Sequence, residues 1–190
     1  MKKILCIGDS NTWGYDPRSW FGSQYPDTIR WTARLERAGW QVVNCGQNGM
    51  PVPEKKILPR IKSLIQSKLP VACITIMLGS NDLFEGRTAE ETSERMRALL
   101  QATEEIAPDA RILLIAPPVL SPGEWVRSEM LMEESARLTE CYRKLAAEEN
   151  VSFADAECWG VELSFDGAHF TESGHRAFAE GLMQVLEKNF

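Results

Sequence analysis

The sequence predicts an α/β protein, a three-layer α/β/α sandwich on a five-stranded parallel sheet. Three observations carry this. Segments of strand character alternate with segments of helical periodicity along the chain. The strand segments are apolar throughout instead of alternating in polarity, as strands covered on both faces are. The 190 residues hold five strands and about five helices with no repeat, low-complexity tract or linker between them, which fits one domain over residues 1–190.

Residues 3–8 open the sheet as a short buried strand, stopped by Gly8, Asp9 and Ser10. Residues 11–29 read as a long loop rich in Trp, Tyr, Pro and Gly, and residues 30–38 as a short helix ended by Gly39. Residues 41–45 form a second strand, stopped by Gly46-Gln47-Asn48-Gly49. A helical pattern covers 54–68, with Pro59 as a kink or restart. The apolar run 71–78 is the clearest strand and ends in Gly79-Ser80-Asn81-Asp82. Thr88-Ala89-Glu90-Glu91 is a capping box, Thr88 being the N-cap, and opens a helix to about residue 107. Residues 111–116 are a fourth strand, ended by Pro117-Pro118. A loop to about 127, a helix over 128–149, a short strand over 151–154 and a last helix over about 171–188 complete the order.

Composition excludes several classes of function. An apolar fraction of 44% with 25% charged residues excludes a disordered chain and a coiled coil. A chain of this length buries roughly 70% of its unfolded surface and needs no disulfide or metal staple. A net charge of -6 and a pI near 5.1 speak against nucleic-acid or anionic-membrane partners, which are bound through Lys and Arg. The five cysteines, Cys6, Cys45, Cys73, Cys141 and Cys158, are odd in number and lack CxxC spacing. They are expected reduced, which implies a cytoplasmic protein. The start of the chain lacks the apolar core of a secretory signal, and no run reaches the ~18 residues of a membrane span. Two histidines and no Cys/His ligand spacing predict no metal and no cofactor.

Ligands of an open parallel sheet bind beyond the carboxyl ends of its strands. Here those ends carry Gly8-Asp9-Ser10-Asn11, Asn44 to Gly49, Gly79 to Asp82, and the later loop Asp166-Gly167-Ala168-His169. Each cluster alone is also what plain turns are made of; their convergence on one rim is the signal. Asp166 and His169 can meet within their own loop, although His169 could simply be a loop histidine bonded to Asp166. Histidine can take a proton from a serine near neutral pH, and a carboxylate can orient it. His175 falls in the last helix as a surface or packing residue. Backbone N–H groups of Ser10 and Gly49 and the amide of Asn81 could serve an oxyanion, with Asn81 equally readable as a turn residue. Gly-x-Ser-x-Gly, G-x-G-x-x-G and P-loop patterns do not occur.

These residues, in this order, resemble the SGNH hydrolase (GDSL-type esterase/lipase) superfamily, over residues 4 to about 175. The stretches ILCIGDSNTWGY, RWTARL, IMLGSND, APPVL and DGAHFTESGH resemble its small bacterial arylesterase/acyltransferase branch. The resemblance implies the flavodoxin-like fold of that superfamily. It implies Ser10 as nucleophile, His169 as base and Asp166 as orienting acid. It implies an oxyanion hole of Ser10, Gly49 (with Gly46 as rival) and Asn81. One departure is Asn11, where the family expects Leu.

The partner expected is therefore a small-molecule ester with a short acyl group. Asp9, Asn11 and Trp13 are the candidate pocket residues beside the serine. Tyr15, Trp20, Phe21, Tyr25 and Trp31 crowd the same loop and could wall a pocket, pack as local core or face a second subunit. Trp125 could cap the site. A homo-oligomer is expected from the aromatic loop and the Pro-rich loop after strand four. Two rivals stand beside the arylesterase: a carbohydrate O-acetyl esterase using the same residues, and a non-catalytic flavodoxin-like binding module.

Overall fold

Strands β1 (Lys3–Gly8), β2 (Gln41–Gly46), β3 (Cys73–Met77), β4 (Arg111–Ala116) and β5 (Ser152–Asp155) pair in the order β2-β1-β3-β4-β5, all parallel. The computed structural model describes residues 2–19 and 21–189, so Trp20 of the aromatic loop lies outside the described residues. The chain steps from β1 to β2, then returns to the other side of β1 for β3. The switch point of the sheet is therefore between β1 and β3. Register keeps the ends level there: Gly8 pairs with Gly46 on one side and Met77 on the other. The segments after β1, β2 and β3 leave the sheet from one line.

Alternation within the strands feeds two cores. Leu5, Ile7, Ile74, Ile76 and Leu114 pack under α3 (Leu58–Gln66), α5 (Ala89–Ile106) and α6 (Glu129–Glu148). Ile4, Cys6, Cys73, Met77, Leu113 and Ile115 pack under α2 (Trp31–Arg37) and α7 (Glu172–Asn189). Helices on both faces leave no polar face, which is why the strands read as continuous apolar runs. The division follows from right-handed crossovers: the step from β1 to β2 and the steps toward β5 run in opposite directions, so their helices lie on opposite faces.

The α/β/α sandwich expected from the sequence is the observed architecture. Most boundaries fall within a residue or two of expectation. The capping box is formed, with Glu91 N–H donating to Thr88 Oγ1 at 3.2 Å and Thr88 N–H donating to Glu91 Oε2 at 2.9 Å.

Three details differ. The pattern over 54–68 becomes helix only at Leu58, with Pro59 in the first turn. A proline there needs no acceptor for a missing N–H, so Pro59 opens the helix instead of kinking it. β3 is shorter than the apolar run 71–78, although Val71 and Leu78 are buried. Two one-turn helices, α1 (Ser10–Trp13) and α4 (Ser80–Phe84), stand where loop and turn were expected. Such short helices have no room for a periodic pattern. Among the described residues no helix is long and apolar enough to cross a membrane, and all five cysteines are free thiols.

Candidate active site

Ser10 is the first residue of α1, directly beyond β1. Asp9 is the N-cap, and its carboxylate accepts the N–H of Asn11 at 3.0 Å. The first N–H groups of a helix have no intrahelical acceptor, so the Ser10 N–H is available to something beyond the sheet edge. Asp9 itself is buried, and that burial, only partly offset by the Asn11 N–H, pushes its carboxyl up to about 6.

His169 reaches Ser10 from a loop 159 residues away in sequence. Its Nε2 lies 2.9 Å from Ser10 Oγ and its Nδ1 lies 2.7 Å from Asp166 Oδ2. The other carboxylate oxygen, Oδ1, accepts the backbone N–H groups of Ala168 at 2.9 Å and His169 at 3.0 Å. Burial alone would raise the Asp166 carboxyl. The ring and the two backbone donors outweigh it and hold the group below the ordinary carboxylate range. An ionised Asp166 fixes the proton on Nδ1 and leaves Nε2 as acceptor toward the serine.

A second loop holds this one in place. Ser121 N–H donates to Gly167 O at 3.0 Å, Glu124 N–H to Phe165 O at 3.0 Å and Trp125 N–H to Asp166 O at 3.1 Å. The approach is close enough to require glycine at residue 167: φ is +83°, and a Cβ would fall 2.1 Å from Ser121 O. The docking sets Trp125, 54% exposed, edge-on to His169 with ring centroids 4.9 Å apart. Tyr15 lies against the same imidazole at 4.6 Å.

Asn81, in α4, joins the ends of the first two strands. Its Nδ2 donates to Met50 O at 3.2 Å and lies 3.5 Å from Asp9 Oδ2. Met50 follows Gly49 and Asp9 precedes Ser10, so the Asn81 amide contacts the chain neighbours of both residues. Gly49 occupies the turn 47–50 with φ +70° and open space where a side chain would be. Gly46, the rival, donates its N–H to Asn44 Oδ1 at 2.8 Å. A Cβ there would sit 2.2 Å from Trp13 N, so its lack of a side chain admits α1 against β2.

The expected pocket residues divide. Asp9 and Asn11 are buried, as Ser10 itself is. Asp9 is 3% exposed beneath the serine turn. Asn11 is 7% exposed, with Nδ2 donating to Ala168 O at 3.0 Å and Oδ1 accepting the Phe170 N–H at 3.0 Å. Trp13 is half-buried beside the serine turn. Tyr25 and Trp31 are core side chains, Trp31 donating its Nε1–H to Asn11 O at 2.9 Å, whereas Phe21 is almost wholly exposed. His175 is a packing residue, as expected of its place in α7, buried against Tyr25 and Phe170.

Asp82 is a site-supporting residue that sequence reasoning missed. Fully buried, it accepts the Val52 N–H at 2.7 Å and faces Arg95 Nη1 at 3.0 Å, while Arg95 also donates to Val52 O. It anchors the segment that carries Met50 toward Asn81. No spacing in the chain links residues 52, 82 and 95. Among the described residues no group of three His, Cys, Asp or Glu side chains is placed to hold a metal ion.

What this arrangement can do is draw a proton from a serine hydroxyl onto an imidazole backed by an ionised carboxylate. On a flavodoxin-like sheet without a nucleophile elbow, that chemistry defines a class, the carboxylic ester hydrolases of the SGNH type. The family model described as GDSL-like lipase/acylhydrolase matches residues 6–177, and the chain belongs to that family. No match was found among curated proteins.

Solved structures agree. The chain is similar to the inhibitor-bound aryl esterase of M. smegmatis, at 25% identity, TM-score 0.87 and 100% of both chains covered. It is similar to a protein assigned as an arylesterase from Agrobacterium tumefaciens strain C58, at 30% identity, TM-score 0.88 and 100% of both chains. It is also similar to a carbohydrate acetylesterase family member from Sinorhizobium meliloti, at 27% identity, TM-score 0.86, covering 99% of this chain and 98% of that one. The protein is an enzyme, a carboxylic ester hydrolase, and the non-catalytic binding module drops out.

Proposed function

We propose that the protein hydrolyses short-chain acyl esters, aryl acetates among them, through an acyl-enzyme on Ser10. The observation that carries this is the hydrogen-bonded series from Ser10 Oγ to His169 Nε2 at 2.9 Å and from His169 Nδ1 to Asp166 at 2.7 Å. Ser10 Oγ attacks the ester carbonyl as its proton passes to His169 Nε2, and Asp166 stabilises the imidazolium. The carbonyl oxygen becomes an oxyanion that accepts from the N–H of Ser10, the N–H of Gly49 and Nδ2 of Asn81. When the tetrahedral intermediate collapses, the C–O bond to the leaving alcohol breaks and His169 protonates the alcohol. Water then repeats the sequence, with His169 as base, and frees the acid and Ser10.

The Tyr15 and Trp125 rings beside His169 give the acceptor side an aromatic wall. Such surroundings favour an alcohol as a competing acyl acceptor and support acyl transfer as a secondary activity. A carbohydrate O-acetyl ester is the second reading, favoured by the likeness to the S. meliloti protein. Hydrolysis of p-nitrophenyl acetate by the wild type and by Ser10→Ala tests the mechanism, and a panel of acetylated sugars against aryl acetates separates the two substrate classes. Turnover that vanishes in Ser10→Ala is expected. Turnover that survives it would remove Ser10 from the proposal.

A further inference from the structure

Asn11 follows the serine, and all four of its polar groups are committed inside the protein. Its N–H donates to Asp9 Oδ1 at 3.0 Å, and its backbone carbonyl accepts the Trp31 Nε1–H at 2.9 Å. Its amide spans to the loop that carries His169, donating to Ala168 O at 3.0 Å and accepting from Phe170 N–H at 3.0 Å. These two backbone groups allow one orientation of the amide, since a flipped amide would face donor with donor and acceptor with acceptor. The contacts bracket His169, one residue on each side. Neighbouring residues in the two segments, Ser10 and His169, are the pair whose side chains meet at 2.9 Å.

We propose that Asn11 is the positioning residue that sets the distance and alignment between Ser10 Oγ and His169 Nε2. The proposal rests on the serine mechanism given above. Ser10 sits on a one-turn helix, and His169 sits on a loop. Neither element is long enough to fix its side chain by its own ladder of hydrogen bonds. The Asn11 amide ties the two backbones directly, without routing the constraint through the sheet. With both ends of its amide bonded to the backbone at residues 168 and 170, it acts on the reacting pair through that loop, not by touching the ester. A displacement of about 1 Å between reacting groups costs on the order of 10²-fold in rate.

The test uses Asn11→Ala and Asn11→Asp, each compared with wild type and with Ser10→Ala. The readouts are kcat and KM for p-nitrophenyl acetate, the rate of Ser10 labelling by a fluorophosphonate, and the thermal midpoint. In Asn11→Ala, kcat is expected to fall about 10- to 100-fold while KM stays within about threefold. Labelling of Ser10 slows by the same factor, because it depends on the same base but on no substrate pocket. Asn11→Asp keeps the acceptor for the Phe170 N–H and loses the donor to Ala168 O, so it is expected to lose kcat as well. It decides the matter if Asn11→Ala does not fold. A folded variant with kcat within threefold of wild type overturns the proposal. So does a raised KM at unchanged kcat, which would make Asn11 a substrate contact. If Ser10→Ala itself retains turnover, the serine mechanism fails first, and that outcome is distinct from a normal Asn11 variant beside a dead Ser10→Ala.

Discussion

His175 offers a test of the packing account that is independent of catalysis. The ring is fully buried in α7, edge-on to Tyr25 and Phe170, and neither nitrogen has a hydrogen-bond partner among the described residues. Burial, reinforced by the charges of Arg34 and Arg30, lowers its pKa from the ordinary 6.5 to about 3. As pH falls through 6.5 the unfolded chain takes up a proton that the folded chain refuses until about 3, so stability is lost across that window. The loss is about 1.4 kcal/mol per pH unit, which gives about 2 kcal/mol at pH 5.

Asp9 works in the opposite direction. Its folded carboxyl, raised from 3.8 to about 6, binds a proton before the unfolded one does, so it adds stability as pH falls through that range. The raw pH dependence of the wild type therefore mixes the two groups. The difference between wild type and His175→Leu isolates the histidine. At pH 7 the variant relieves an unsatisfied polar ring, worth about 1–3 kcal/mol, but loses aromatic contacts worth about 0.5–1.5 kcal/mol. Its stability should thus lie within about 1–2 kcal/mol of wild type. Urea unfolding at pH 7 and pH 5 should show wild type losing about 2 kcal/mol relative to the variant. Equal losses in both proteins would refute the buried neutral imidazole.

Two further outcomes are expected. Asn81→Ala should lower kcat on p-nitrophenyl acetate by about 10²–10³, as for other oxyanion donors, while the lost bond to Met50 O costs only about 0.5–1.5 kcal/mol in thermal unfolding; a loss in kcat under threefold would remove Asn81 from that role. Gly167→Ala must place a side chain at φ +83°, 2.1 Å from Ser121 O, so thermal unfolding should show a loss of about 1–3 kcal/mol and turnover should fall as the 121–125 loop shifts from Asp166. An unchanged midpoint would mean that the loop docking is loose.

The strands and long helices were legible because burial on both faces leaves apolar runs of strand length, and because Thr88 and Glu91 announce a helix. The serine, histidine and aspartate were legible for a different reason. Their loops follow strand ends, and the parallel order brings strand ends to one rim. What could not be read is how that rim is held together. The place of Asn11 next to the serine does not tell that its amide turns toward residues 168 and 170, which only their three-dimensional placement decides. The aromatic loop was ambiguous for a similar reason. Tyr25 and Trp31 are core, Phe21 faces solvent and Tyr15 meets His169, yet in sequence they form one undivided cluster. Asp82 and Arg95 carry no spacing that foretells their meeting at 3.0 Å.

The central claim is that Ser10 is the nucleophile. Reaction of the wild type with a fluorophosphonate, followed by peptide mass mapping, tests it most directly. One covalent adduct on the peptide containing Ser10, with esterase turnover lost in step with its formation, is the expected result. An adduct on another residue, or full loss of turnover with Ser10 unmodified, would contradict it.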